Sequence, residues 1–186
     1  RLLLPPAGQR ELVMPAWNGN EFLLPDGRRP SIRTFTPRRL DLEALELDID
    51  VVAHGGGAAS SWAERASPGD AAGVSGPGRG YTIDPDAPAY LLAGGETAIP
   101  AMSQLLEVLP AGLSVQVHIE IAAPDGALVL AKHPGATVAW HELASGRAPG
   151  DAFVAAVCAA DIGPATKIWV AGEAAAVQRV RRNLFE

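Results

Sequence analysis

The texture of the chain changes near residue 87, and that change constrains the fold more than any other feature. Before it, short apolar pieces such as Phe22-Leu23-Leu24 lie between prolines, glycines and polar residues. They read as short strands joined by turns, the pattern of a barrel or sandwich. After it, apolar runs with strand character alternate with stretches of helical spacing. Residues 89–93, 113–121, 136–140 and 167–171 read as strands. Residues 98–109, with Ile99, Met102, Leu105, Leu106 and Leu109 on one face, read as a helix. Residues 151–160 and 173–182 read as two more. Strands alternating with helices imply a parallel sheet covered on both faces. The expected architecture is a β-barrel domain over 1–86, followed by a nucleotide-binding-type α/β domain over 87–186. The first strand starts abruptly, so the barrel is expected to be incomplete at its N-terminus.

Bulk properties narrow the function. A hydrophobic content of 48% supports a real core. A net charge of −6 lacks the basic footprint of a nucleic-acid binder. No apolar run reaches the length of a membrane span. The single cysteine, Cys158, permits no internal disulfide and fits a reducing, cytoplasmic setting. Its Ala/Val surroundings suggest a buried, inert thiol.

The chemistry starts at Arg33-Thr34-Phe35-Thr36-Pro37-Arg38. Read as an extended strand, it puts Arg33 and Phe35 on one face and Thr34 and Thr36 on the other. An arginine can fork onto a phosphate, an aromatic can lie on a flat ring, and a threonine can bond a ring nitrogen. The same hexapeptide also suits an edge strand with surface arginines. Downstream, Leu45, Leu47, Ile49 and Val51 alternate with acidic residues, giving a half-buried strand with a solvated acidic face. That strand runs into His54-Gly55-Gly56-Gly57-Ala58-Ala59-Ser60-Ser61-Trp62, which opens a short helix. Glycines there let the backbone approach a diphosphate, and Ser60 or Ser61 can cap the helix or bond a phosphate oxygen. A flexible glycine turn is the plainer reading.

Two further turns match each other. Gly94-Gly95-Glu96-Thr97 and Ala171-Gly172-Glu173 each join a strand to a helix through glycine and an acid. In an open parallel sheet, ligands lie beyond the carboxyl ends of the strands. An acid at a helix start repels a diphosphate, so these turns suit the ribose or nicotinamide part of a dinucleotide. Thr97 as a simple N-cap is the alternative. His118 shares a strand face with Gln116 and Glu120 and reads as a surface histidine, and no spacing ties the histidines into a metal site.

Taken in order, Arg-Thr-Phe-Thr, the His-Gly and Gly-x-x-Ser turn, Gly-x-Glu-Thr-Ala-x-Pro and Trp-x-Ala-Gly-Glu resemble the siderophore-interacting proteins. These are FAD-dependent ferric-siderophore reductases of the ferredoxin-reductase-like superfamily. The resemblance runs from about residue 31 to 182. It implies an FAD-binding barrel, an α/β domain for NADPH or NADH, and reduction of a ferric siderophore with release of Fe(II). Carried across, Arg33, Thr34, Phe35 and Thr36 hold the flavin and the FAD phosphates. Asp50, Val52 and His54 run along the flavin edge. Gly57, Ala59 and Ser60 hold the diphosphate with Trp62 close by. Gly94, Glu96, Thr97, Ala171, Gly172 and Glu173 face the nicotinamide nucleotide. No side chain is implied as a proton-transfer catalyst.

This sequence departs from the family at Phe35, where Tyr is frequent, at Gly95, usually Asp, and at Ala58, often Pro. The family's first barrel strands and its aromatic, basic C-terminal segment are largely absent from it. Arg28, Arg29, Arg38 and Arg39 cluster around the clamp as a possible basic rim for an anionic siderophore. No 2′-phosphate site stands out: Arg147 is a candidate partner, and an ordinary surface arginine is the plainer reading. A monomer is expected, with a dimer as the alternative. Two other functions stay open: a flavin reductase with another acceptor, and a non-catalytic siderophore- or flavin-binding module.

Overall fold

A computed structural model describes every residue except 7, 54, 77, 79 and 186. The chain forms two compact units, residues 1–81 and 82–186. The division falls a few residues before the expected 87. The reason is that Asp84 belongs with the second unit: its main chain bonds the Tyr90 hydroxyl, and its carboxylate pairs with Lys167 at 2.9 Å.

The first unit is a barrel-like set of short antiparallel strands. Strand β1 (Leu2–Leu4) is three consecutive buried leucines. Two small hairpin strands follow, β2 (Ala16–Trp17) and β3 (Phe22–Leu23), then β4 (Ser31–Arg33), β5 (Pro37–Asp41) and β6 (Glu46–Ile49). A one-and-a-half-turn helix α1 (Ala58–Ala63) and β7 (Gly73–Val74) complete it. β1 is flanked by β4 and β7, while among the described residues β5 pairs only with β6. The Arg33–Arg38 segment is therefore not one strand. It leaves β1 at Arg33 and joins β6 from Pro37, with 34–36 outside both ladders. Proline has no N–H to give a ladder and disfavours helical geometry before it, which fits a change of partner at this point.

The second unit is an α/β layer structure. Strands β8 (Ala89–Gly95), β9 (Ser114–Ile121), β10 (Ala136–Glu142) and β11 (Lys167–Ala171) form one parallel sheet in the order β10-β9-β8-β11. Helix α2 (Ile99–Val108) covers one face, packing Ile99, Met102, Leu105 and Leu106 onto Leu92, Val117 and Ile119. Helices α3 (Asp151–Ala159) and α4 (Ala174–Phe185) cover the other, packing Phe153, Val154, Val157, Ala176 and Val180 onto Leu91 and Ala93. Both faces of β8 are thus dry, as a parallel sheet requires. Each fully buried aliphatic side chain there contributes roughly 2 kcal/mol.

Covering both faces also corrects two expectations. β9 alternates, but neither of its faces is open to water at its carboxyl end: Glu120 is only 6% exposed and His118 is half-buried. Cys158, by contrast, is exposed. Phe153, Val154 and Val157 take the sheet-facing stripe of α3, and one further residue turns the side chain about 100° away.

Candidate functional site

The parallel sheet changes winding direction at β8, whose neighbours are β9 on one side and β11 on the other. The carboxyl ends of β8 and β11 therefore mark the topological switch point, where open α/β sheets take their ligands. Gly94 and Ala171 are direct register partners there. A Cβ on Gly94 would collide with the Ala171 carbonyl oxygen and lie 2.9 Å from the Ala98 Cβ. Gly95, next along, has open space where its side chain would be. Both expected turns thus lie at the same switch-point crevice, and within the first of them Gly94 is tightly packed while Gly95 is open.

Glu96 does more than repel anions. Its Oε1 accepts the Ala122 N–H at 2.8 Å, so it ties the start of the β8–α2 turn to the end of β9. The turn at Pro124–Gly126 closes over it, and Gly126 has no room for a Cβ beside the same oxygen. Thr97 lies inside a 3₁₀ turn (Glu96–Ala98) and makes no capping bond. Glu173 is exposed, and its carbonyl accepts the Val177 N–H to start α4.

Sequence reasoning missed Glu120. Its carboxylate reaches across to the N-terminus of α3 and accepts N–H bonds from Gly150 at 2.6 Å, Ala152 at 2.7 Å and Phe153 at 3.3 Å. This is an N-cap supplied by a neighbouring strand, matching a negative charge to the positive end of the helix dipole. Asp151 is the first helical residue, after Gly150 at φ 96°. Asp151 pairs with Arg179 at 2.5 Å and with Arg147 at 3.0 Å, so the arginine considered for a 2′-phosphate already holds a carboxylate.

His118 Nδ1 and His141 Nε2 lie 3.1 Å apart across β9 and β10. The ring centroids are 5.3 Å apart, longer than the N···N distance by nearly two ring radii. The two nitrogens are within hydrogen-bond distance, with donor and acceptor set by the tautomers, and the ring planes are 28° apart. His118 Nε2 is buried without a partner among the described residues. Burial, reinforced by the charge of His141, holds the His118 imidazole below its ordinary value. His133 is buried and satisfied, contacting the Pro110 carbonyl at 3.1 Å and the Gly135 N–H at 3.2 Å. Among the described residues no group of three or more metal-ligating side chains occurs.

The histidine pair gives a pH expectation. A histidine depressed in the folded state costs stability wherever the unfolded chain takes up its proton first. Stability is full above about pH 6.5 and falls as pH drops from there toward the depressed folded value. Asp151 and Asp84, held below the usual carboxylate range by Arg179 and Lys167, lose their contributions only at much lower pH. The urea midpoint of the second unit is expected to fall between pH 7.5 and 5.5, and His118→Gln should flatten that slope. A parallel slope in the variant would show that another group titrates.

In the first unit, Gly55 and Gly57 take left-handed φ values of 68° and 81° just before α1. No side chain caps that helix. Ser60 is buried and its hydroxyl bonds Glu64 at 3.0 Å, so it faces into the helix. His54 lies outside the described residues. The Arg33 guanidinium bonds the Ile32 carbonyl at 2.8 Å and no carboxylate among the described residues. Thr34 is exposed, and Phe35 and Thr36 are half-buried beside it. Asp50 is exposed and Val52 half-buried, directly after β6. Ala59 is half-buried in α1, and Trp62 lines a cavity of about 230 Å³ with Arg10, Arg65 and Asp70. Positive-φ glycines before an uncapped helix start, with a half-free arginine on the adjoining sheet, fit a phosphate-bearing cofactor.

The rim arginines are not an open cationic patch. Arg28 pairs with Asp26 at 2.6 Å and Arg29 with Glu21 at 2.6 Å. Arg39 is held by Asp48 at 2.7 Å, Glu46 at 2.8 Å and Asp41 at 3.5 Å. The acidic face of β6, expected to be merely solvated, is what holds it.

A barrel-like unit with a glycine turn ahead of a short helix, followed by a parallel sheet with glycine turns at its switch point, defines the ferredoxin-reductase-like fold. The siderophore-interacting protein family model matches residues 87–186, and the siderophore-interacting FAD-binding domain model matches residues 1–81. The chain belongs to the siderophore-interacting protein family. It is 34% identical over 191 residues to the NADPH-dependent ferric-chelate reductase of Escherichia coli, covering 96% of this chain and 69% of that one. It is 42% identical over 118 residues to an uncharacterized protein of Mycobacterium tuberculosis, covering 63% of this chain and 42% of that one. Among solved structures, a siderophore utilization protein from T. fusca superposes with a TM-score of 0.82 at 34% identity, covering 98% of this chain and 70% of that one. No helix among the described residues is long and apolar enough to cross a membrane.

Proposed function

We propose that this chain carries FAD and takes electrons from NADPH or NADH to reduce ferric siderophores, releasing Fe(II) in the cytoplasm. The observation that carries the reading is the similarity to the E. coli NADPH-dependent ferric-chelate reductase over 96% of this chain and 69% of that one, with both domain families matched in order. FAD, when bound, converts a two-electron hydride donor into single-electron delivery, which Fe(III) requires.

The chain's own residues position and tune. Arg33 neutralises a phosphate and orients it through its planar fork. Thr34 and Thr36 offer hydroxyls to the cofactor's polar edge, and Phe35 supplies a flat apolar wall. The backbone of Asp50 and Val52 borders the ring system, and the turn from Gly57 through Ala59 offers N–H groups to the diphosphate. In the second unit, Gly94, Ala171 and Gly172 let the nicotinamide nucleotide approach the strand ends. Glu96 supports that approach indirectly by fixing the turn to β9. NADPH is the donor favoured by the name of the E. coli relative, and the chain acts as a monomer.

Arg33→Ala tests the clamp. It is expected to weaken FAD retention about 10- to 100-fold, the loss of one charge-assisted phosphate contact, while leaving the far-ultraviolet circular dichroism unchanged. The readout is flavin absorbance after gel filtration at fixed added FAD. Equal retention by wild type and variant would remove Arg33 from the site. A wild-type chain that stays colourless with excess FAD would overturn the reductase reading altogether and leave a non-catalytic module.

A further inference from the structure

The β5–β6 hairpin leaves the clamp directly after Thr36 and returns to it at Asp50, with Pro37 and Ile49 paired at its base. The base of the hairpin adjoins the residues to which the proposed function assigns FAD, and the substrate selectivity inferred for the hairpin rests on that assignment. From Pro37 to Asp50 the chain holds two cations, Arg38 and Arg39, and five carboxylates, Asp41, Glu43, Glu46, Asp48 and Asp50. The hairpin therefore carries an excess of three negative charges. On its exposed face Arg39 is already satisfied by Asp41, Glu46 and Asp48, so it cannot turn toward a chelate without leaving them. The Arg39–Asp48 rung sits about 7 Å from the base of the hairpin, within one Debye length at physiological salt. Of the nearby arginines, Arg28 and Arg29 are each matched by a carboxylate, and the proposed function commits Arg33 to a cofactor phosphate.

We propose that this hairpin selects the charge of the substrate: the chain works on ferric chelates that are neutral or cationic, as trishydroxamates are, and disfavours trianionic triscatecholates. Three excess charges acting on a trianion at about 10 Å through water, screened at about 0.1 M salt, are worth about ten-fold in encounter rate. A neutral chelate does not feel them.

The test uses the FAD-loaded chain with NADPH and a ferrous-trapping dye, measuring kcat/KM for a neutral ferric trishydroxamate and a ferric triscatecholate at low and high ionic strength. Because catecholate iron is intrinsically harder to reduce, the salt slope decides rather than the ratio of the two chelates. For the triscatecholate, kcat/KM is expected to rise about ten-fold from low to high salt, and the neutral chelate to stay flat. The double variant Glu46→Gln, Asp48→Asn should raise the triscatecholate value several-fold at low salt and leave the trishydroxamate unchanged. A triscatecholate rate that falls with salt, or that the double variant leaves unmoved, overturns the proposal. If NADPH reduces the bound flavin but neither chelate yields Fe(II), the ferric-siderophore reading fails instead, and the selectivity with it.

Discussion

Glu120→Ala is expected to destabilise the second unit strongly, although it removes no apolar contact of the core. It removes a buried carboxylate that satisfies three N–H groups of α3 at once. Those groups are orphan donors of a helix start, and the buried position denies them easy replacement by water. The cost is about 3 kcal/mol, or about 10 °C in Tm. Glu120→Gln separates charge from shape. It keeps one acceptor oxygen but turns an amide N–H₂ toward donors, so roughly half of the loss or more should remain. The measurement is urea unfolding followed by circular dichroism above pH 7, where the histidine pair contributes nothing variable. A Glu120→Ala loss below about 1 kcal/mol would mean that water replaces the carboxylate and that α3 is held by Phe153, Val154 and Val157 alone.

Gly94→Ala should be nearly as damaging, for a different reason. The new Cβ would meet two neighbours that cannot yield cheaply, the Ala171 carbonyl and the Ala98 Cβ. Relief requires β8 and β11 to part at the switch point, and overpacking of this kind costs about 3 kcal/mol. The neighbouring Gly95→Ala is the internal control. It lies at φ −88° with nothing within 4 Å of the added atom, so its cost should stay within about 0.5 kcal/mol. If the crevice holds the nicotinamide nucleotide, Gly94→Ala will also raise the KM for NADPH in whatever fraction still folds. Equal stability of the two variants would contradict the packing of Gly94 against Ala171 and Ala98.

The second unit is legible in the sequence because its signals are long. Helix α2 repeats apolar residues at Ile99, Met102, Leu105 and Leu106, and β11 lies where its apolar run predicts it. The first unit is legible only in kind, since strands of two residues such as β2, β3 and β7 have no measurable period. The departures from expectation share a cause. An alternating strand suggests one wet face, but β9 is covered on both sides, so the polar residues Glu120 and His118 are partly or fully enclosed. A buried carboxylate that caps a helix some thirty residues away leaves no local pattern to find. The Arg33–Arg38 segment reads as a single strand because a change of ladder partner is not written in residue type. Arg29 and Arg39 look free in the sequence because Glu21 and Asp48 lie eight and nine residues distant, whereas the Arg28 partner, Asp26, is only two residues away. The four motifs that carry the family resemblance survive all of this, since they mark turns at strand ends rather than buried faces.

At the centre of the proposed function, this chain passes electrons from a nicotinamide nucleotide through bound FAD to chelated iron. An anaerobic titration tests it most directly: the FAD-loaded chain, limiting NADPH or NADH, excess neutral ferric trishydroxamate and a ferrous-trapping dye. A hydride carries two electrons and Fe(III) accepts one, so two Fe(II) should appear for each nucleotide oxidised. Nucleotide oxidation without Fe(II), or no oxidation by an FAD-loaded chain, would contradict it.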